Sequence, residues 1–313
     1  MKFQTENFTL KSAHDQLTLG VTLYIPENPQ GIIQFVHGMA EHRQRYQQTM
    51  AYFADRGYVV IIHDHRGHGD SVKTDSDLGY FYQNGAQAIV EDVHQVTTYV
   101  KTRFPGLKLT LLGHSMGSLV VRCFTKKYDQ EIDSLIVCGS PSKQVGAKVG
   151  LVIAKILKFF RGDRHRSQLI DTLAFKPHNR QFQHEGVANA WVVSDPAVRE
   201  LYNADPKSGF IFTLNGFETL FTLMNNTYNK RGWQTRQPDL PIIFLAGADD
   251  PCIINAKAFH QAVNFMRSRG YNQVESRLYP GMRHEILNEV HKEEVWQDIH
   301  QWIQRSLPQN KVR

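Results

Sequence analysis

The sequence predicts an α/β fold, a mostly parallel central sheet with helices on both faces and a helical cap inserted in it. Three observations carry this. Short apolar runs that read as buried strands alternate along the chain with stretches of helical periodicity, the pattern of a parallel sheet covered on both sides. One interval, residues 141–238, breaks that rhythm without a clear buried strand, and a structureless loop of about a hundred residues is improbable inside a domain. Finally, Gly113-His114-Ser115-Met116-Gly117 stands between the apolar run 109–112 and Leu119-Val120-Val121, which places a serine where a strand turns into a helix.

Taken in order, alternation over 8–11 and 17–23, bracketed by Asp15 and Pro26, predicts an opening antiparallel hairpin. Buried strands are expected at 32–36, 59–63, 109–112, 134–138, 242–246 and 274–279. Helices are expected at 46–55, 86–102, 118–127, 256–268 and 292–306. Residues 1–140 and 239–313 then form the core, and 141–238 form a mostly helical cap.

With 313 residues, 41% hydrophobic and 21% charged, the composition is that of a soluble globular protein, and no window reaches the roughly 18 apolar residues of a membrane span. The opening residues Met1 to Asn7 contain no apolar signal core, so a cytoplasmic location is expected. Cys123, Cys138 and Cys252 are too few and too scattered for a disulfide framework or a zinc cage, and are expected as buried free thiols. The net charge of +6 is local. Lys143, Lys148, Lys155, Lys158, Arg161, Arg164 and Arg166 stand against Asp163 alone, and outside this segment acids and bases balance. A general basic surface for nucleic acid is therefore excluded.

Glycines flanking Ser115 allow the tight turn that lifts a nucleophilic hydroxyl clear of a sheet. A serine is a weak nucleophile at neutral pH and needs a histidine base and a carboxylate to orient it. Both have candidates downstream, each just past the end of a strand, where open parallel sheets bind ligands: Asp249 or Asp250 after 241–247, and His284 after 274–279. An oxyanion needs two backbone donors, and the N–H of Met116, directly after the serine, and of Met39, in the loop Phe35-Val36-His37-Gly38-Met39, are placed to supply them. This chemistry requires no cofactor. His63-Asp64-His65 with His68 and Asp70 invites a metal reading, but strand alternation puts Asp64 opposite the two histidines, so no metal is expected there. Residues 148–160 interleave Val149, Val152, Ile153, Ile156, Leu157, Phe159 and Phe160 with lysines. That basic amphipathic helix suits either a roof over an apolar pocket or a membrane interface.

From about Gly31 to Ser306 the chain resembles the monoacylglycerol lipase and bacterial lysophospholipase branch of the α/β-hydrolases, grouped with serine aminopeptidase-like (S33) hydrolases. The resemblance rests on five ordered motifs: His37-Gly38-Met39-Ala40-Glu41-His42 with Arg45-Tyr46, 64–71, Gly113 to Gly117, Gly247-Ala248-Asp249-Asp250-Pro251, and 284–289. It implies an α/β-hydrolase fold, selects Asp250 as the acid through the pattern G-x-x-D-P, and assigns 63–70 to a structural turn behind the site. It also implies a serine hydrolase of carboxylic acyl esters, with a small-molecule or lipid ester such as a monoacylglycerol or lysophospholipid as substrate. The basic cap would then make peripheral membrane contact. Ser118 departs from the family's second glycine, and the cap matches only loosely, at 191–195 and 204–206. Glu285, Asn288 and Glu289 are expected to support their loop, and one of Asp249 and Asp250 to serve only as a turn residue or helix N-cap before Ala256. Two other functions fit the same motifs: an aminopeptidase, against which stand the positive cap and the absence of a G-G-x-G segment, and a ligand-binding protein with a vestigial triad.

Overall fold

The computed structural model describes residues 3–307. Eight strands form one sheet: β1 (Phe3–Lys11), β2 (Thr18–Pro26), β3 (Gly31–Val36), β4 (Tyr58–His63), β5 (Leu109–His114), β6 (Ser134–Cys138), β7 (Ile242–Gly247) and β8 (Val274–Tyr279). Their order is β1-β2-β4-β3-β5-β6-β7-β8. β1 and β2 are antiparallel to their neighbours, and the other pairs are parallel. β1 begins earlier than the alternation in the sequence indicates, because Phe3 to Asn7 pair with Pro26 to Thr22 through backbone bonds although Gln4, Thr5, Glu6 and Asn7 bring little apolar signal.

The inner strands read as mostly apolar runs because both faces are covered. In β4, Val59 and Ile61 join one core cluster while Val60 and Ile62 join the other, as the period of two requires. One face packs on α1 (Gln47–Ala54) and α9 (Lys292–Ser306) through Met50, Phe53, Trp296, Ile299 and Trp302. The opposite face takes α2 (Gly85–Arg103), α3 (Met116–Tyr128) and α8 (Ala256–Arg267).

Between β6 and β7 run α4 (Gly146–Arg161), α5 (Gln168–Phe175), α6 (Pro196–Ala204) and α7 (Leu214–Thr227). Ser167, Asp195 and Thr213 start the last three by accepting helix N–H bonds. α7 packs on α2 and α3 as well as on α4, so this excursion is tied to the core through its last helix. Among the described residues no helix is long and apolar enough to cross a membrane. The three cysteines are free thiols, with Cys138 and Cys252 buried and Cys123 partly so.

Candidate active site

Ser115 sits between β5 and α3 with φ 53° and ψ −119°, a backbone conformation rare for a residue with a side chain. Its flanking glycines are required by contact. A Cβ on Gly113 would stand 2.5 Å from Gly117 O, and one on Gly117 would collide with the Val36 and His37 carbonyls. The elbow is thereby pressed against the end of β3, where the loop carrying Met39 begins.

The two groups expected downstream converge on this serine. Ser115 Oγ lies 2.8 Å from His284 Nε2, and His284 Nδ1 lies 2.9 Å from Asp250 Oδ2. Asp250 Oδ1 accepts the Cys252 N–H at 2.8 Å, so both carboxylate oxygens are held. Asp250 and His284 are buried, whereas Asp249 is exposed and is engaged through its backbone, its N–H donating to the Met282 carbonyl and its own carbonyl accepting from Gln181. Neither aspartate caps α8. Asn255 does so through Ala258 N–H, because Asp250 already caps the short 3-10 turn Pro251–Ile253 and the chain must turn again before α8. Met39 and Met116 line the same cavity as Ser115, and no acceptor among the described residues takes either backbone N–H.

Behind the serine lies a buried charge network that the sequence did not single out. Glu41 accepts N–H from Gly38 at 2.5 Å, the Tyr46 hydroxyl at 3.0 Å and Arg45 at 2.9 Å, and it meets His114 at 3.3 Å. Arg45 also grips both oxygens of Glu285 at 2.6 Å. His114 completes the circuit, with Nε2 3.2 Å from the His284 carbonyl. Burial alone would raise the Glu41 carboxyl, but the His114 hydrogen bond and the Arg45 charge hold it below its ordinary value. Burial disfavours the His114 cation, yet Glu41 raises it above the usual imidazole range. The network therefore joins the Gly38-Met39 loop, the residue before Ser115 and the His284 loop into one charged unit. Its signal was the Glu41, Arg45 and Glu285 positions inside the recognised motifs, whose pairing across 240 residues no local pattern encodes.

From the segment before α6, Trp191 covers His284 at a ring separation of 5.0 Å, and Val192 O accepts the Glu285 N–H at 2.8 Å. Glu289 braces the same loop by accepting the Arg283 and Ser194 amides, and Asn288 donates to Glu285.

The histidines of the 63–70 stretch have backbone partners or none. His37 Nε2 accepts the His65 N–H at 2.9 Å, His65 Nε2 bonds the His37 carbonyl at 3.0 Å, and His68 Nε2 accepts the Ala40 N–H at 3.2 Å. His63 has no partner on either nitrogen. Burial pushes His63 down to about 3 and His68 to about 4, and holds His37 and His65 well below 6.5. Asp64 meanwhile accepts the Arg43 and Asp70 amides and pairs with the Arg43 guanidinium. These rings and this carboxylate shape the loop that carries Met39.

Ser115 opens into a cavity of about 400 Å³. Its apolar walls come from Met39, Phe175, Phe210, Leu220, Phe221 and Met224, and polar groups such as Gln168, His178 and Asn179 also face it. α4 contributes no wall. Its small side, Ala147, Gly150 and Ala154, packs on α7, with Gly150 so close to Phe221 that a Cβ would come within 2.8 Å of the ring. Leu151, Ile153 and Leu157 are half-buried beside that side, while Val149, Val152, Ile156, Phe159 and Phe160 are exposed, Phe159 by 84% and Phe160 by 75%.

A family model described as serine aminopeptidase, S33, matches residues 27–291. The monoacylglycerol lipase of Mycolicibacterium smegmatis is 25% identical over 276 residues, covering 88% of this chain and 89% of that protein. A thermostable carboxyl esterase from Bacillus coagulans, solved in complex with glycerol, superposes with a TM-score of 0.89 at 25% identity, over 96% of this chain and 98% of that one. A soluble variant of monoglyceride lipase from Saccharomyces cerevisiae, bound to a substrate analogue, shares the fold with a TM-score of 0.72 at 21% identity, over 97% and 94%.

Proposed function

Since the chain belongs to the serine aminopeptidase S33 family of α/β-hydrolases, we propose that it is a serine hydrolase of carboxylic acyl esters, with a monoacylglycerol, lysophospholipid or similar lipid-like ester as substrate. The observation that carries the reading is the hydrogen-bonded file Asp250, His284, Ser115 opening onto an apolar cavity. Ser115 Oγ attacks the ester carbonyl as its proton passes to His284 Nε2. Asp250 holds Nδ1–H and so fixes the tautomer and stabilises the imidazolium. The Met39 and Met116 amides receive the oxyanion, for which two unengaged N–H groups are the requirement. His284 then protonates the leaving alcohol, and water repeats the cycle on the acyl-enzyme.

In this reading residues 1–140 and 239–313 supply the reacting groups, and residues 141–238 act as a cap that supplies most of the acyl walls. Exposed Val149, Val152, Ile156, Phe159 and Phe160, set among Lys148, Lys155 and Arg161, give that cap a surface suited to an anionic lipid interface. The aminopeptidase alternative needs a free carboxylate for the substrate ammonium. Glu41 and Glu285 at the cavity are both committed to Arg45, and burial raises the Asp171 carboxyl.

The test is hydrolysis of graded acyl esters, monoacylglycerols and lysophospholipids together with fluorophosphonate labelling. Ser115→Ala is expected to abolish labelling and to lower kcat by about 10³ or more. Unchanged turnover in that variant would end the mechanism.

A further inference from the structure

Cys252 plays no part in the mechanism, yet its thiol lies beside the acid–base pair. One ligand atom from each of Asp250, Cys252 and His284 can be chosen so that all three lie within 4.8 Å of one another, and all three residues are buried. Cys252 and His284 both line the cavity that serves Ser115, so a small ion entering with substrate reaches them. Sulfur, imidazole nitrogen and carboxylate oxygen form a donor set that zinc accepts in tetrahedral geometry, with the fourth position left for water. A zinc ion about 2.0–2.3 Å from each ligand separates the ligands by roughly 3.3–3.7 Å, so the contact of 2.9 Å between His284 Nδ1 and Asp250 Oδ2 must open by a few tenths of an ångström.

We propose that Asp250, Cys252 and His284 form an inhibitory site for a thiophilic divalent cation, Zn²⁺ first, which switches the hydrolase off by capturing its base. The proposal rests on the serine-hydrolase reading for its effect on activity, although not for its effect on binding. Coordination proceeds with one proton released. The Cys252 thiol loses its hydrogen to become the thiolate ligand. The imidazole stays neutral but moves its hydrogen from Nδ1 to Nε2, because the metal now occupies the Nδ1 lone pair. Asp250, already a carboxylate, exchanges the Nδ1–H for the metal. The consequence is chemical: Nε2, 2.8 Å from Ser115 Oγ, carries a hydrogen and has no lone pair left to accept the serine proton.

Two measurements on the full chain test this. In the first, ester turnover is titrated with ZnCl₂ in wild type and in Cys252→Ala, each normalised to its own metal-free rate, with Cys252→Ser as a second variant. Wild type is expected to lose at least tenfold in rate and to recover on addition of a chelator. Both variants are expected to need at least tenfold more zinc. The second measurement reads no activity. Co²⁺ is added, and a thiolate-to-cobalt charge-transfer band is expected in wild type and absent from both variants. Equal zinc sensitivity in wild type and variants, or no cobalt–thiolate band in wild type, overturns the site. A cobalt band in a protein that hydrolyses no ester keeps the site and rejects the hydrolase reading.

Discussion

His63→Leu isolates one buried neutral histidine from the rest of the loop scaffold. Both nitrogens of His63 are unpartnered within the core, with its ring set edge-on to His65 at 5.2 Å. Near pH 7.5 an apolar side chain of similar size removes two unsatisfied polar atoms, and the variant is expected to be more stable by about 1 kcal/mol. The larger effect comes with acid. A histidine held at about 3 in the folded protein and near 6.5 unfolded contributes its full stability above 6.5, and that stability is lost as pH falls toward the folded value. Between pH 7 and pH 5 the unfolded histidine gains about 0.7 of a proton and reaches almost full protonation while the folded one stays neutral, which costs about 2 kcal/mol per such histidine. His37, His65 and His68 add to the slope with the same sign. His114 opposes it, because its raised value makes its contribution complete at low pH and lost as pH rises. Urea unfolding of wild type and variant at half-unit steps from pH 7.5 to 5 measures the difference, free of the groups they share. The gap is expected to widen by about 2 kcal/mol across that range. A constant gap refutes the reasoning, since His63 would then titrate alike in both states.

Two further outcomes follow from the site and its surroundings. Glu41→Gln takes from His114 its buried carboxylate, leaves Arg45 with Glu285 alone and weakens the clamp on Gly38, so kcat and the rate of fluorophosphonate labelling are expected to fall by about tenfold to a hundredfold, short of the ~10²–10³ that loss of an oxyanion donor costs. Unaltered labelling kinetics would reduce the network to a purely stabilising role. Phe159→Ser with Phe160→Ser is expected to weaken co-sedimentation with vesicles containing an anionic phospholipid by about tenfold or more, while hydrolysis of a short, water-soluble ester is unchanged. Equal vesicle binding would move the contact away from α4.

The strands and core helices were legible because each is encoded locally. β3 to β7 are buried along their whole length and mostly apolar since both faces are covered, and α9 spans the stretch its periodicity marks. From strand placement alone the carboxylate that meets His284 was legible only to within one residue, and it was the resemblance, through G-x-x-D-P, that selected Asp250. Asp249 and Asp250 follow the same strand end, and the choice depends on which side chain turns inward, a matter of backbone direction after β7. Still less accessible was the Glu41, Arg45, Glu285 and His114 network. Its members come from three separate segments of the chain, and each reads alone as a solvated charge or a turn residue. Asp195-Pro196, by contrast, is a helix-start signature that the sequence does carry, with the aspartate accepting N–H bonds and proline in the first turn.

α4 shows why amphipathicity alone does not orient a helix. Its period separates large apolar residues from lysines, and the simplest inference turns the large side toward the protein. The structure reverses this, because α7 approaches closely only where side chains are small. Ala147, Gly150 and Ala154 repeat at intervals of three and four and form that flat side, while Ile153 and Leu157 close its margin. Val149, Val152, Ile156, Phe159 and Phe160 are left facing outward. A contiguous apolar strip exceeds what scattered surface hydrophobics require, and a strip flanked by lysines has opposite preferences built into one helix, acyl chains at its centre and anionic headgroups along its edges. The same small residues that seat α4 on α7 thus decide what the helix offers to its surroundings.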